Sequence, residues 1–168
     1  ICINRSFEDP RLVGEWFGYG SNDYNQLTEQ AGGVTTNRIY LNNDILEIED
    51  VFVGNGCIIF KNRFNRYYGR GLNDFKQLSV DSNQNIVTST TQLTLQGDFI
   101  KINFNRTTAV GVTRDRKIYQ WGKEQNSDIC YLSREILSGD EWEDAVATVR
   151  SVVATNTEGT TYMLGYIN

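Results

Sequence analysis

The chain has 168 residues, 39% of them hydrophobic, with 15 glycines, one proline and no histidine. Its 16 basic and 21 acidic residues leave a net charge of −5, which argues against a nucleic-acid surface, because such a surface needs a basic stripe to displace counterions. No apolar run approaches the roughly 18 residues of a membrane span, so no membrane insertion is expected.

In chain order, the first organised feature is the phrase GYGSNDYNQL at Gly18 to Leu27. It returns as GRGLNDFKQL at Gly69 to Leu78 and, blurred, as QWGKEQNSDI at Gln120 to Ile129. The second glycine of each copy falls at Gly20, Gly71 and Gly122, at intervals of 51 residues, and a fourth trace, YMLGYIN, places Gly165 a further 43 residues on. A fixed period of this size signals a solenoid, a propeller or an array.

The strands between the phrases repeat too. Strands are expected over Arg38 to Leu41 and Ile45 to Phe52, then over Thr91 to Leu95 and Phe99 to Phe104. Thr108 to Thr113 and Lys117 to Trp121 form a hairpin around Arg114, Asp115 and Arg116; Ser151 to Ala154 and Thr160 to Leu164 form another around Glu158-Gly159. Thr28 to Asn37 and Asp81 to Asn85 read as polar loops. Four short strands per period is the content of one propeller blade, so residues 1–168 are expected to be a single partial β-propeller domain in the all-β class. Its units are centred on Gly20, Gly71 and Gly122, with a truncated unit at Gly165.

Within each phrase the residue types suit a blade corner. A glycine at a strand end permits a positive φ or a close backbone approach. The amides of Asn22, Gln26, Asn73 and Gln77 can satisfy backbone groups in the loop that leaves the strand, and Leu27 and Leu78 return to the core. Trp121 with Gly122 is all that the third copy keeps. Leu27, Leu78 and Trp121 are therefore expected to be buried.

The order strand, turn, strand, then aromatic-Gly-x-Asn-x-x-x-Gln-Leu resembles the repeat of the regulator of chromosome condensation family, whose signature runs close to Trp-Gly-x-Asn-x-x-Gly-Gln-Leu-Gly. Tyr19, Gly20, Asn22, Gln26 and Leu27 match it in the first copy, and Gly71, Asn73, Gln77 and Leu78 in the second. Asn25 and Lys76 stand where the signature has its inner Gly, and Thr28 and Ser79 where it has the closing Gly. The resemblance implies a seven-bladed ring, which at this period needs more than twice the present length. About three to four blades are expected here, as a segment of a longer protein or one completed by blades from a partner chain.

Function is expected to lie in binding another protein. No P-loop, nucleophile elbow, histidine-based metal site or dinucleotide fingerprint occurs, so neither catalytic residue, metal nor cofactor is expected. The favoured reading is a scaffold whose loops meet a protein partner through Asp23 and Tyr24, the corresponding Asp74 and Phe75, and the acidic Asp140, Glu141 and Asp144. The alternative implied by the resemblance is a guanine-nucleotide exchange factor for a small GTPase. Lys61, Arg63, Arg66, Arg70, Arg114, Arg116 and Lys117 are read as solvated charges of hairpin turns and outer strands. Three cysteines without a close pair, Cys2, Cys57 and Cys130, point to a reducing intracellular compartment, cytoplasm or nucleus, with Cys2 and Cys57 expected to be small core residues.

Overall fold

The computed structural model describes residues 2–6, 15–30, 32–41, 47–124, 128–148 and 150–165. Every regular element among them is a strand, and within each of four sheets consecutive strands pair antiparallel. Blade 1 contains β1 (Cys2–Ser6), β2 (Glu15–Ser21) and β3 (Val34–Tyr40). Blade 2 contains β4 (Ile48–Val53), β5 (Cys57–Asn62), β6 (Tyr67–Leu72) and β7 (Ile86–Gln92). Blade 3 contains β8 (Phe99–Phe104), β9 (Thr108–Thr113), β10 (Ile118–Lys123) and β11 (Cys130–Ile136). Blade 4 contains β12 (Trp142–Ala147), β13 (Ser151–Asn156) and β14 (Thr161–Gly165).

The register makes the blades equivalent position by position. Gly71 pairs with Cys57, Gly122 with Thr108 and Gly165 with Ser151, each at the start of the preceding strand. In blades 1 to 3 the same glycine follows an irregularity in the ladder to the next strand. The four repeat glycines all adopt positive φ, between 90° and 144°. A Cβ at Gly71 would lie 2.4 Å from the Gly56 carbonyl oxygen, and one at Gly122 would lie 2.5 Å from that of Thr107, so these sites need both the conformation and the space.

Strands β5 and β9 are buried along their whole length because blades pack on both of their faces. Alternation then divides each strand between two cores. Ile58 and Phe60 join Leu27, Leu41 and Ile48 between blades 1 and 2. Cys57 and Ile59 face the other way, into a larger cluster with Phe99, Ala109 and Trp121 between blades 2 and 3. Val110 and Val112 meet Trp142, Ala145 and Val152 between blades 3 and 4. Among the described residues, each core cluster is shared between two sheets. Each blade is stabilised by its neighbours, as in other repeat proteins.

Several boundaries differ from the expected ones. The strand placed at Thr91 to Leu95 is β7, five residues earlier, and Leu93 and Leu95 are buried in the segment leaving it. β3 begins at Val34, inside the expected polar loop. The start of the strand expected from Ile45 lies outside the described residues, and β4 begins at Ile48. The expected hairpins occur as β9–β10 and β13–β14.

Two basic residues do not have the solvated setting expected of them. Lys61 is 3% exposed on β5, its Nζ 2.6 Å from Asp98 and 3.3 Å from Glu49. Arg70 is 5% exposed on β6, stacked on the Phe60 ring with its guanidinium carbon 5.4 Å from the ring centre. Both positions face a neighbouring blade, where a long cation survives only by finding oxygen partners.

Candidate protein-binding rim

The repeat phrases build rigid corners at one end of the blades. In blade 1 the Asn22 Oδ1 accepts from the amides of Leu27 (2.7 Å) and Thr28 (3.1 Å), while its Nδ2 donates to Thr28 Oγ1 and the Gln30 carbonyl. Gln26 Oε1 accepts from the Tyr24 amide at 2.9 Å. Blade 2 repeats the pattern: Asn73 Oδ1 accepts from Leu78 and Gln77 Oε1 from Phe75. Amides serve here because their oxygens accept from the N–H groups of a loop that makes no ladder bonds. In blade 3 the corresponding connection is short, with β11 starting at Cys130, which explains the loss of the phrase after Gly122.

The corners also hold adjacent blades together. Asp74 receives a bidentate pair from Arg106 of blade 3, at 2.9 and 2.7 Å, and a further bond from Gln77 Nε2 at 2.7 Å. Partial burial opposes the Asp74 charge, yet the bonds from Arg106 and Gln77 together hold its carboxyl below the usual carboxylate range. Phe75 lies beneath two cations of blade 3, Arg106 at 5.3 Å and Lys123 at 5.6 Å. Tyr24 occupies the equivalent place on blade 1 and rests on the next blade at Gly56, where an added Cβ would stand 2.7 Å from its ring. Asp23, one residue earlier, is exposed and bonded to Ser21 Oγ at 2.7 Å.

Asp23, Tyr24, Asp74 and Phe75 thus share one end of the molecule. Asp140 and Glu141 belong to the other end, beside the β13–β14 turn: Asn156 Nδ2 donates to Asp140 and the Thr157 amide to the Glu141 carbonyl. Asp144 sits on β12, 3.2 Å from Lys101 Nζ.

Of the cations that complete the corner end, sequence reasoning missed Arg106 and Lys123 and read Arg70 as a solvated charge. Arg70 has the most informative role. It occupies the position of Trp121 in the next repeat; Trp121 Nε1 donates to the Gln77 carbonyl at 2.7 Å, and Arg70 Nε donates to the equivalent Gln26 carbonyl at 3.3 Å. Its alignment under the aromatic of the repeat was the available signal. The Cys57 thiol is pushed up to about 12 by complete burial, consistent with a packing residue and not a nucleophile. Among the described residues no group of three or more His, Cys, Asp and Glu side chains could hold a metal, and no helix is long and apolar enough to cross a membrane.

Two four-stranded and two three-stranded antiparallel sheets, two of them carrying a bonded Gly-x-Asn corner, form a partial β-propeller with the fold of regulator of chromosome condensation structures. Solved structures share this fold. Yeast RCC1 (Prp20), in a crystal structure with Kap60 bound, superposes with a TM-score of 0.75 at 16% identity, over 90% of this chain and 40% of that one. Prp20p from Saccharomyces cerevisiae, with its binding properties to Gsp1p and histones, gives a TM-score of 0.74 at 17% identity, over 90% and 41%. Human WBSCR16 gives 0.65 at 21% identity, over 90% and 42%. The chain therefore spans about 40% of the length of these structures. Neither a protein-family model nor a curated protein sequence matches it.

Proposed function

We propose that this chain is a non-catalytic protein-interaction scaffold, an intracellular part of a larger propeller protein or multiprotein assembly. The observation that carries the reading is the corner end: loops fixed by buried Asn and Gln side chains present Asp23, Tyr24, Phe75 and the Asp74–Arg106 pair without needing to order on binding. Pre-organised loops that mix aromatic and charged side chains suit a protein partner. Support from similar structures is of the same kind, since Kap60 is bound to yeast RCC1, and Gsp1p and histones are partners of Prp20p.

A further blade is part of the proposal. The outward face of blade 4 carries Val146, 44% exposed, and Met163, 51% exposed, at positions whose counterparts Phe52 and Gly69 of blade 2 are buried. A blade from the same polypeptide or from a partner would cover this face as blades 2 to 4 cover one another. The mass of the native polypeptide and of the proteins that co-purify with it tests this part.

Exchange-factor activity is the second reading, motivated only by the likeness to Prp20p and its partner Gsp1p. Nucleotide release from a panel of small GTPases is expected to stay at its uncatalysed rate when the purified protein is added. A clear acceleration would replace the scaffold by the exchange factor.

A further inference from the structure

The end of the blades opposite the corners carries a surface that the corner loops do not explain. Three hairpin turns stand there, at residues 62–66, 113–117 and 156–160, and the register makes them equivalent. All three are locked by their first residue: Asn62 Oδ1 accepts from Phe64 and Arg66 amides, Thr113 Oγ1 accepts from Lys117, and Asn156 Oδ1 accepts from Glu158 and Thr160. Equivalent positions differ sharply in charge. Arg63 and Arg66 of blade 2 correspond to Arg114 and Lys117 of blade 3, but to Thr157 and Thr160 of blade 4. Asp98, bonded to both Lys61 and Arg114, holds the two basic turns beside each other.

Two features mark this surface as more than a solvated rim. Phe64 stands at the tip of its turn with 61% exposure, under the Arg63 guanidinium at 4.8 Å, where the equivalents are Asp115 and Glu158. Arg116 occupies the left-handed position of its turn, φ 64°, which the other turns fill with Asn65 and Gly159. Asparagine and glycine accept that conformation readily and arginine does not, so a strained arginine at a turn tip points to use of its side chain. Arg63 is paired with Glu47, Arg114 with Asp98, and Lys117 lies 3.6 Å from Glu135. Arg66 and Arg116 make no ion pair among the described residues.

We propose that turns 62–66 and 113–117 form a docking surface for a short acidic segment of a partner protein, with Phe64 as the apolar anchor and Arg66 and Arg116 as the charged contacts. The acidic neighbour on blade 4, Asp140, Glu141 and Glu158, repels the same segment and fixes its direction across the rim. A nucleic acid fits less well, because two arginines without an ion pair among the described residues, bordered by acids, offer no continuous phosphate track. The proposal rests on the scaffold reading and names one of its faces.

The test uses the full protein and a fluorescein-labelled Asp/Glu-rich peptide containing a single Leu, followed by anisotropy at low and physiological salt. Saturable binding that weakens with salt is expected, with Arg66→Glu, Arg116→Glu and Phe64→Ala each reducing affinity by about tenfold. Arg116→Gly separates contact from structure: it relieves the backbone, so the melting temperature should hold or rise while peptide affinity falls. Affinity unchanged in Arg116→Gly and Arg66→Glu overturns the proposal, as does tighter binding of a labelled single-stranded oligonucleotide at the same salt. If co-purifying proteins remain bound to the Arg66→Glu/Arg116→Glu variant, this surface is excluded while the scaffold reading stands.

Discussion

At the scale of single residues, two kinds of positive-φ site must be separated. Gly71 is closed on all sides, so Gly71→Ala drives a Cβ into the Gly56 carbonyl and is expected to cost about 3 kcal/mol. Lys76 is the other kind. It holds φ 58° where the family signature has glycine, as Asn25 does at 60° and Ser79 at 52° at the closing position. Lys76→Gly relieves about 1–2 kcal/mol of left-handed strain but adds entropy to the unfolded chain and removes an exposed pair with Asp81. A gain of about 0.5 kcal/mol should remain. Urea midpoints of the two variants in the full protein should move in opposite directions; a destabilised Lys76→Gly would mean that the lysine side chain contributes more than its exposed pair. Leu78→Ala, at a fully buried site, should cost about 2–5 kcal/mol in the same measurement.

At the scale of elements, the seam between blades is set by what β6 and β10 donate to the corner before them. Trp121 meets the Gln77 carbonyl with one N–H; Arg70 meets the Gln26 and Leu27 carbonyls and Thr90 with its guanidinium. Arg70→Leu leaves two buried carbonyls without that donor and is expected to cost about 3 kcal/mol, whereas Arg70→Trp should recover at least half of the loss by copying Trp121. Equal midpoints for the Leu and Trp variants would show that packing against Phe60, and not donation, explains the residue. This exchange also marks the boundary of what the sequence discloses. Gly20, Gly71, Asn22, Asn73 and the hairpin strands β9, β10, β13 and β14 are legible because local turn chemistry and a fixed period both point to them. β11 and β12 are not: β11 is half-buried at almost every position and so lacks alternation, and β12 carries its apolar residues among Glu143 and Asp144. Arg106 and Arg70 escaped for a different reason. Their partners lie 32 and 44 residues away, across a seam that a repeat period places but does not populate.

At the scale of the whole molecule, blades without private cores hold together through their seams, so the charges that cross a seam couple stability to pH. The hydrogen bonds from Lys61 and Arg114 hold the Asp98 carboxyl below its usual range, and Asp74 is lowered by Arg106 and Gln77 against the cost of its burial. A carboxyl with a lower folded than unfolded pKa contributes its full stabilisation above the unfolded value, about 3.9, and loses it as pH falls through the folded value. Stability should therefore be flat near neutrality and fall on acidification below about pH 4. Both groups face the seam between blades 2 and 3, so Asp74→Asn and Asp98→Asn should each lie below the parent protein near pH 7 and converge on it in acid. The double variant should lose more at neutral pH and show the flattest acid limb. Thermal melts of the four proteins between roughly pH 2 and 7, at fixed ionic strength, provide the comparison. Parallel curves, with each gap preserved in acid, would mean that the negative charge of Asp74 and Asp98 does not stabilise the seam between blades 2 and 3.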